Sequence, residues 1–67
     1  MNILVNGEPR EIPDGVTVAA ALNAIGVQEA RGVAVAVDAQ VVPRGRWEEQ
    51  VLSDGQRMEV LRAVQGG

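Results

Sequence analysis

The sequence predicts an α+β fold in which a mixed sheet of four to five strands packs against one helix. Three observations predict it. Apolar residues alternate with period two near the start, middle and end of the chain; one stretch between them has helical spacing; and turn-forming residues stand at each junction.

Residues 1 to 12 read as a hairpin. Met1, Ile3 and Val5 alternate with Asn2 and Leu4, and Asn6-Gly7 supplies the pair that a two-residue type I′ turn prefers, because both of its central residues need positive φ. The return strand covers residues 8–12. Pro13-Asp14-Gly15 then breaks the sheet pattern, and Thr17 stands where it can cap a helix whose apolar positions Val18, Ala21, Leu22 and Ile25 fall on one face. Gly26 fits the stop. A helix this short does not persist alone, so its stability has to come from laying that stripe across a sheet.

Val33, Val35 and Val37 alternate with the small residues Ala34 and Ala36, which makes a third strand with β-branched side chains toward the core. Asp38-Ala39 turns the chain, residues 40–42 add a short strand that Pro43 ends, and residues 44–50 form a polar loop carrying Trp47. After the turn at Ser53-Asp54-Gly55, Met58 and Val60 point one way and Glu59 and Leu61 the other, so the last strand covers residues 57–64. Residues 1–64 are read as a single domain and residues 65–67 as a flexible tail ending in Gly-Gly. A hairpin, a helix and then further strands is the β-grasp order. Its first and last strands pair side by side at the sheet centre, which leaves the tail at the sheet's end, free of the core.

Composition agrees with one small domain: 67 residues, 46% apolar, 22% charged, net charge −3. A chain of this length buries only about 60% of the surface it exposes when unfolded. With no Cys and no His it has neither disulfides nor zinc to help, so twelve valines carry most of the core. The same absences restrict chemistry. Lacking His, Cys, Lys and Tyr, and with Ser53 and Thr17 as its only aliphatic hydroxyls, the chain is not expected to be an enzyme or to bind a metal or cofactor by itself. A net negative charge and a single aromatic residue, Trp47, speak against nucleic acid. Charge is spread evenly, with two Arg against four acids in residues 1–33 and four Arg against five in residues 34–67. No apolar run approaches the roughly 20 residues of a membrane span, and no signal peptide is evident. The expected state is a cytoplasmic protein, monomeric when free and intact from Met1.

The tail carries the most functional information. At a glycine usage of about 7%, two terminal glycines arise by chance in roughly one chain in 200, so a frayed end is the weaker explanation. Without Cβ atoms, Gly66 and Gly67 can thread a channel too narrow for side chains and deliver the terminal carboxylate to another protein's active site. A carboxylate is a poor electrophile. Adenylation with ATP gives it a leaving group, after which the Gly67 carbonyl can accept sulfur or an amine. The partner has to supply that phosphate chemistry, because this chain has no phosphate loop and no lysine.

Along its whole length the chain resembles the ThiS-type sulfur carrier proteins of thiamine (thiazole) biosynthesis, members of the ubiquitin-like β-grasp group. The resemblance rests on Ile3-Leu4-Val5-Asn6-Gly7, Leu22-Asn23-Ala24-Ile25-Gly26 and Val33-Ala34-Val35-Ala36-Val37-Asp38. It continues through Val42-Pro43-Arg44 with Trp47 following, Leu52-Ser53-Asp54-Gly55, Val60 and the terminal Gly66-Gly67. It implies that an E1-like adenylyltransferase (ThiF-type) activates the Gly67 carboxylate with ATP. Sulfur from a donor then displaces AMP to give a thiocarboxylate, and thiazole synthase (ThiG-type) accepts the sulfur. On this resemblance Gly67 is the modified residue, and Gly66 and Gln65 are the adjoining tail. Two positions depart from the family: it often has Asn where this chain has Asp38, and a second acid where this chain has Gln56.

Two alternatives share the same tail chemistry. The small subunit of molybdopterin synthase forms the same thiocarboxylate, but such chains tend to be longer, richer in Phe and often carry prolines before the tail, where this chain has Arg62-Ala63-Val64. A ubiquitin-like modifier joined to other proteins is the other; without Lys this chain could not build lysine-linked polymers of itself. Among the remaining candidates, Leu4, Ala34, Ala36 and Leu61 fall on the sheet face opposite the helix, where they form either a docking surface for the activating enzyme or scattered exposed apolar residues. Arg62 is either a solvated strand residue or a contact for an acidic partner. Trp47 is expected to cover the edge of its own core, and Glu48-Glu49 to be solvent-facing loop charge.

Overall fold

The computed structural model describes residues 1–27 and 31–62. Its chain order is β1 (Asn2–Val5), β2 (Glu8–Glu11), α1 (Val18–Ala24), β3 (Val33–Val37), β4 (Gln40–Val42), a 3₁₀ turn (Arg44–Arg46) and β5 (Arg57–Arg62). The strands form one five-stranded sheet in the order β2-β1-β5-β3-β4. β1 and β5 run parallel at its centre and every other pairing is antiparallel. The expected β-grasp arrangement is the one observed.

Local chemistry accounts for each junction. Asn6 and Gly7 both take positive φ, 51° and 84°, as the β1–β2 turn requires. Ile12 lies just beyond the end of β2, yet it is buried and still exchanges hydrogen bonds with Met1. The N-terminus of α1 leaves no amide of its first turn unpaired. Thr17 Oγ1 accepts from Ala20 N–H at 3.2 Å, the Thr17 carbonyl accepts from Ala21, and the carbonyls of Gln50 and Trp47 accept from Val18 and Ala19, each at 2.9 Å. At the other end Gly26, with φ 95°, completes a Schellman cap: its own N–H bonds to Asn23 and that of Val27 to Leu22.

The core lies between α1 and one face of the sheet. Ile3, Val18, Val35 and Met58 are the largest side chains almost wholly removed from solvent, and among the described residues no polar side chain is buried. The loop expected over residues 44–50 is more ordered than its polarity suggests, because Pro43 sets the chain into the 3₁₀ turn that brings Trp47 under the helix. Trp47 is buried, its Nε1–H donating to the Val42 carbonyl at 2.9 Å, so it covers the edge of its own core as expected. β5 is described as far as Arg62. The expected continuation through residues 63–64, and the tail at Gln65, Gly66 and Gly67, lie outside the described residues.

The β3–β4 turn makes one structural demand that its sequence meets poorly. Asp38 and Ala39 both have positive φ, 49° and 69°, and Ala lacks the local hydrogen bonds that make this region tolerable for Asp or Asn. A β-carbon there costs about 1–2 kcal/mol. The greater unfolded-state freedom of Gly takes back about 0.4–1 kcal/mol of the relief. Taking the middle of both ranges, Ala39→Gly is therefore expected to stabilise the domain by about 0.8 kcal/mol, raising the thermal midpoint by roughly 3–6 °C; an unchanged or lower midpoint would refute the reading.

Candidate functional site

The segment that leads to Gln65, Gly66 and Gly67 is β5, and its surroundings decide how that segment leaves the body of the protein. From Met58 opposite Val37 to Arg62 opposite Val33, β5 pairs with β3. On its other side β1 supplies only Leu4 and Val5, opposite Arg57 and Met58. Beyond Val5 the strand β1 turns away, and the Asn6 side chain takes its place. Asn6 Oδ1 accepts from Val60 N–H at 2.8 Å and Asn6 Nδ2 donates to the Val60 carbonyl at 3.1 Å, while its main-chain N–H bonds to the Met58 carbonyl at 3.0 Å. One amide side chain thus extends the ladder by a residue.

The sheet face away from α1 carries most of the expected surface residues. Leu61 is 69% exposed and stands opposite Ala34; Ala36 stands between Glu59 and Val41, and Val41 is 76% exposed. Ala34, Ala36, Leu61 and Val41 therefore adjoin one another on the last three strands of the sheet. Val41 was not among the expected residues, although its alternation with the core residue Val42 could have placed it here. Leu4 is half-buried at the far end of this face, with Arg57 and Glu59 between it and Leu61. It lines a groove of about 640 Å³ together with Gly7, Asp38, Ala39, Arg57, Met58 and Glu59. Arg62 is exposed but has the strand parity opposite to Leu61, so it belongs to the end of the sheet rather than to this face.

The rim of that groove is held by the two positions that depart from the resembled family. Asp38 Oδ1 accepts from Arg57 N–H at 3.1 Å and Asp38 Oδ2 accepts from Gln56 Nε2 at 3.0 Å. Gln56 Oε1 in turn accepts from Ser53 N–H at 2.8 Å. The Arg57 amide first, then the Gln56 amide, and last the Arg57 charge hold the Asp38 carboxyl below its ordinary value of 3.8. Among the described residues no group of three His, Cys, Asp or Glu side chains gathers as a metal site, and no helix is long and apolar enough to cross a membrane. What the arrangement offers chemically is an apolar sheet face beside a strand that is held on both sides as far as Val60.

Comparison with known proteins gives this arrangement relatives. The profile of the ThiS family matches residues 3–67. Over all 67 residues the chain is 31% identical to the sulfur carrier protein ThiS of Escherichia coli strain K12, each chain covered in full. It is 33% identical to part of a thiazole synthase from Paramagnetospirillum magneticum, of which it spans only 20%. The crystal structure of the thiamine biosynthesis protein ThiS from Geobacter metallireducens superposes with a TM-score of 0.86 at 30% identity, with both chains fully covered. A solution structure of a thiamine biosynthesis protein from the same organism gives 0.82, covering 88% of that chain.

The Asp38–Gln56 contact has two measurable consequences. Because the folded-state pKa of Asp38 is depressed, its contribution is present above the unfolded value and is lost as pH falls through the lower folded one. Urea midpoints measured from about pH 7 to about pH 2 should show an acid limb that is shallower in Asp38→Asn. Asp38→Asn sets two amide donors against each other and Gln56→Glu sets two carboxylates together, so each alone should destabilise. The double variant restores a donor facing an acceptor and should be more stable than the two losses added together. Strictly additive losses would show that the contact contributes nothing.

Proposed function

The chain belongs to the ThiS family, and from that premise we propose that it is a sulfur carrier of thiamine biosynthesis whose working group is the C-terminal carboxylate of Gly67. The observation that carries the proposal is the full-length match to that family through Gly66 and Gly67, joined to the position of β5 at the sheet centre.

In this reading a carboxylate oxygen of Gly67 attacks the α-phosphorus of ATP held by an E1-like adenylyltransferase, and pyrophosphate leaves. Sulfur delivered at the sulfide level, as HS⁻, then attacks the acyl carbon, AMP leaves with the bonding electron pair, and loss of the sulfur-bound proton leaves a thiocarboxylate. Thiazole synthase receives that sulfur. Support for this last partner comes from the Paramagnetospirillum thiazole synthase, a fifth of whose length resembles this chain. The carrier itself holds neither ATP nor the sulfur donor; both belong to the activating partner. Its own residues present the tail and provide a surface. The Ala34, Ala36, Leu61 and Val41 face docks the adenylyltransferase, Leu4 forms a separate contact at the groove, and Arg62 flanks the root of the tail.

Two experiments test this. Tandem mass spectrometry of the protein from cells making thiamine should place a sulfur-for-oxygen exchange on Gly67. The location matters because oxidation of Met1 or Met58 adds nearly the same mass. In vitro, ATP-dependent pyrophosphate release should occur with the adenylyltransferase and vanish when one residue is added after Gly67, with the fold unchanged. Persistent release from the extended chain would sink the proposal.

The docking face has its own prediction. Leu61 is exposed, so Leu61→Asp should change folding stability by no more than about 0.5 kcal/mol. Burying a Leu side chain at an interface is worth about 1.5–3 kcal/mol, so the same change should lower kcat/KM for adenylation by roughly tenfold or more. An unaltered kcat/KM would remove Leu61 from the interface.

A further inference from the structure

We infer that Asn6 is a positioning residue for the reactive terminus: its side chain straps Val60 into the sheet and so fixes the direction in which the tail leaves β5. The inference rests on the carrier reading given above.

Three observations carry it. β1 stops pairing at Val5 while β5 runs on to Arg62, so the β1-facing side of β5 would lose its partner beyond Met58. Asn6 fills that vacancy with both ends of its amide, at 2.8 Å and 3.1 Å, on the N–H and C=O of one residue. The turn favours Asn at position 6 but does not require it, because Gly also accepts the positive φ there, whereas the bonds to Val60 need a donor and an acceptor at the length that Asn offers. Gly67 lies seven positions beyond Val60 and five beyond Arg62 in the sequence. Without Asn6 the stretch from Val60 to Arg62 is left to its β3 pairing alone, so β5 frays back toward Val60 more readily and the span that a partner has to order, when it draws the terminus into its active site, grows. Ordering even one more residue costs about 1–2 kcal/mol, roughly 5- to 30-fold in binding. Once the terminus is seated, the chemistry at Gly67 is untouched.

The test is Asn6→Gly, which keeps the turn and removes the strap. Steady-state adenylation by a ThiF-type adenylyltransferase should show KM raised about tenfold with kcat within about twofold of the parent, at a temperature where the variant is fully folded. Hydrogen exchange should show faster loss of the Val60 amide proton, with the Val35 amide unchanged as an internal reference. Should Asn6→Gly not fold at the assay temperature, Asn6→Asp carries the same test, since it keeps the size and turn preference but sets a carboxylate oxygen, in place of the Nδ2–H donor, against the Val60 carbonyl. An unchanged KM, a fall in kcat at constant KM, or an unchanged Val60 exchange rate overturns the inference. If the parent chain releases no pyrophosphate at all, the carrier reading has failed and the role of Asn6 fails with it; a parent that reacts normally beside an indifferent variant overturns the role of Asn6 alone.

Discussion

The whole structure depends on the parallel pairing of β1 with β5. These strands come from opposite ends of the sequence, and only two residue pairs, Leu4 with Arg57 and Val5 with Met58, register between them. So short a ladder is a weak closure for so distant a contact, because loop-closure entropy has to be met before the contact returns anything. Side chains splice it at each end. Before the first pair, the Asp54 carboxylate accepts from Asn2 N–H at 2.7 Å while the Gly55 amide bonds to the Asn2 carbonyl at 2.8 Å. After the last, Asn6 holds Val60. These side-chain bonds span 52 and 54 residues of sequence, so two turn residues, each also suited to its own local geometry, close the sheet.

The helix illustrates the same economy in a domain that has neither Cys nor His. α1 has seven residues, too few to hold by itself, and the amides of its first turn would be left open by a capping threonine alone. The segment from Trp47 to Gln50 supplies the remaining acceptors, and the buried Trp47 ring fastens that segment to the core. One loop thus serves packing and helix termination at once. Its conformation follows from Pro43 and from the exclusion of the indole from water more than from the charged residues around it.

These dual roles mark the boundary of what the sequence reveals. Period-two valines, the Asn-Gly turn, the Thr cap and the glycine stop each act over a few residues, and every one of them was legible together with the strand order they imply. What was not legible acts across long separations through groups whose local role already seemed complete. Asn6 reads as a turn residue, and only the register of β5 shows that its amide reaches Val60. Val41 is one residue from a core position, and its exposure follows only from the pairing with Ala36. Asp38 and Gln56 read as two unrelated departures from the resembled family. In three dimensions they are hydrogen-bond partners, so replacing Asn with Asp at one position and an acid with Gln at the other exchanges amide and carboxyl while keeping one donor and one acceptor.

The strand order also explains why a carrier can be this small. A reactive terminus that followed an edge strand would have a neighbour on one side only, and its heading would follow every fluctuation of that edge. Here the terminal strand lies between β1 and β3, so both sides of its base are held while its outward face stays uncovered, because one helix can cover only one face of a sheet. The apolar residues left on that face, Leu61 and Val41 most exposed among them, are the geometric remainder of the same arrangement that fixes the strand. A second helix on that side would hide them. A last strand held on both sides of its base and an uncovered apolar face thus follow from a single choice of topology.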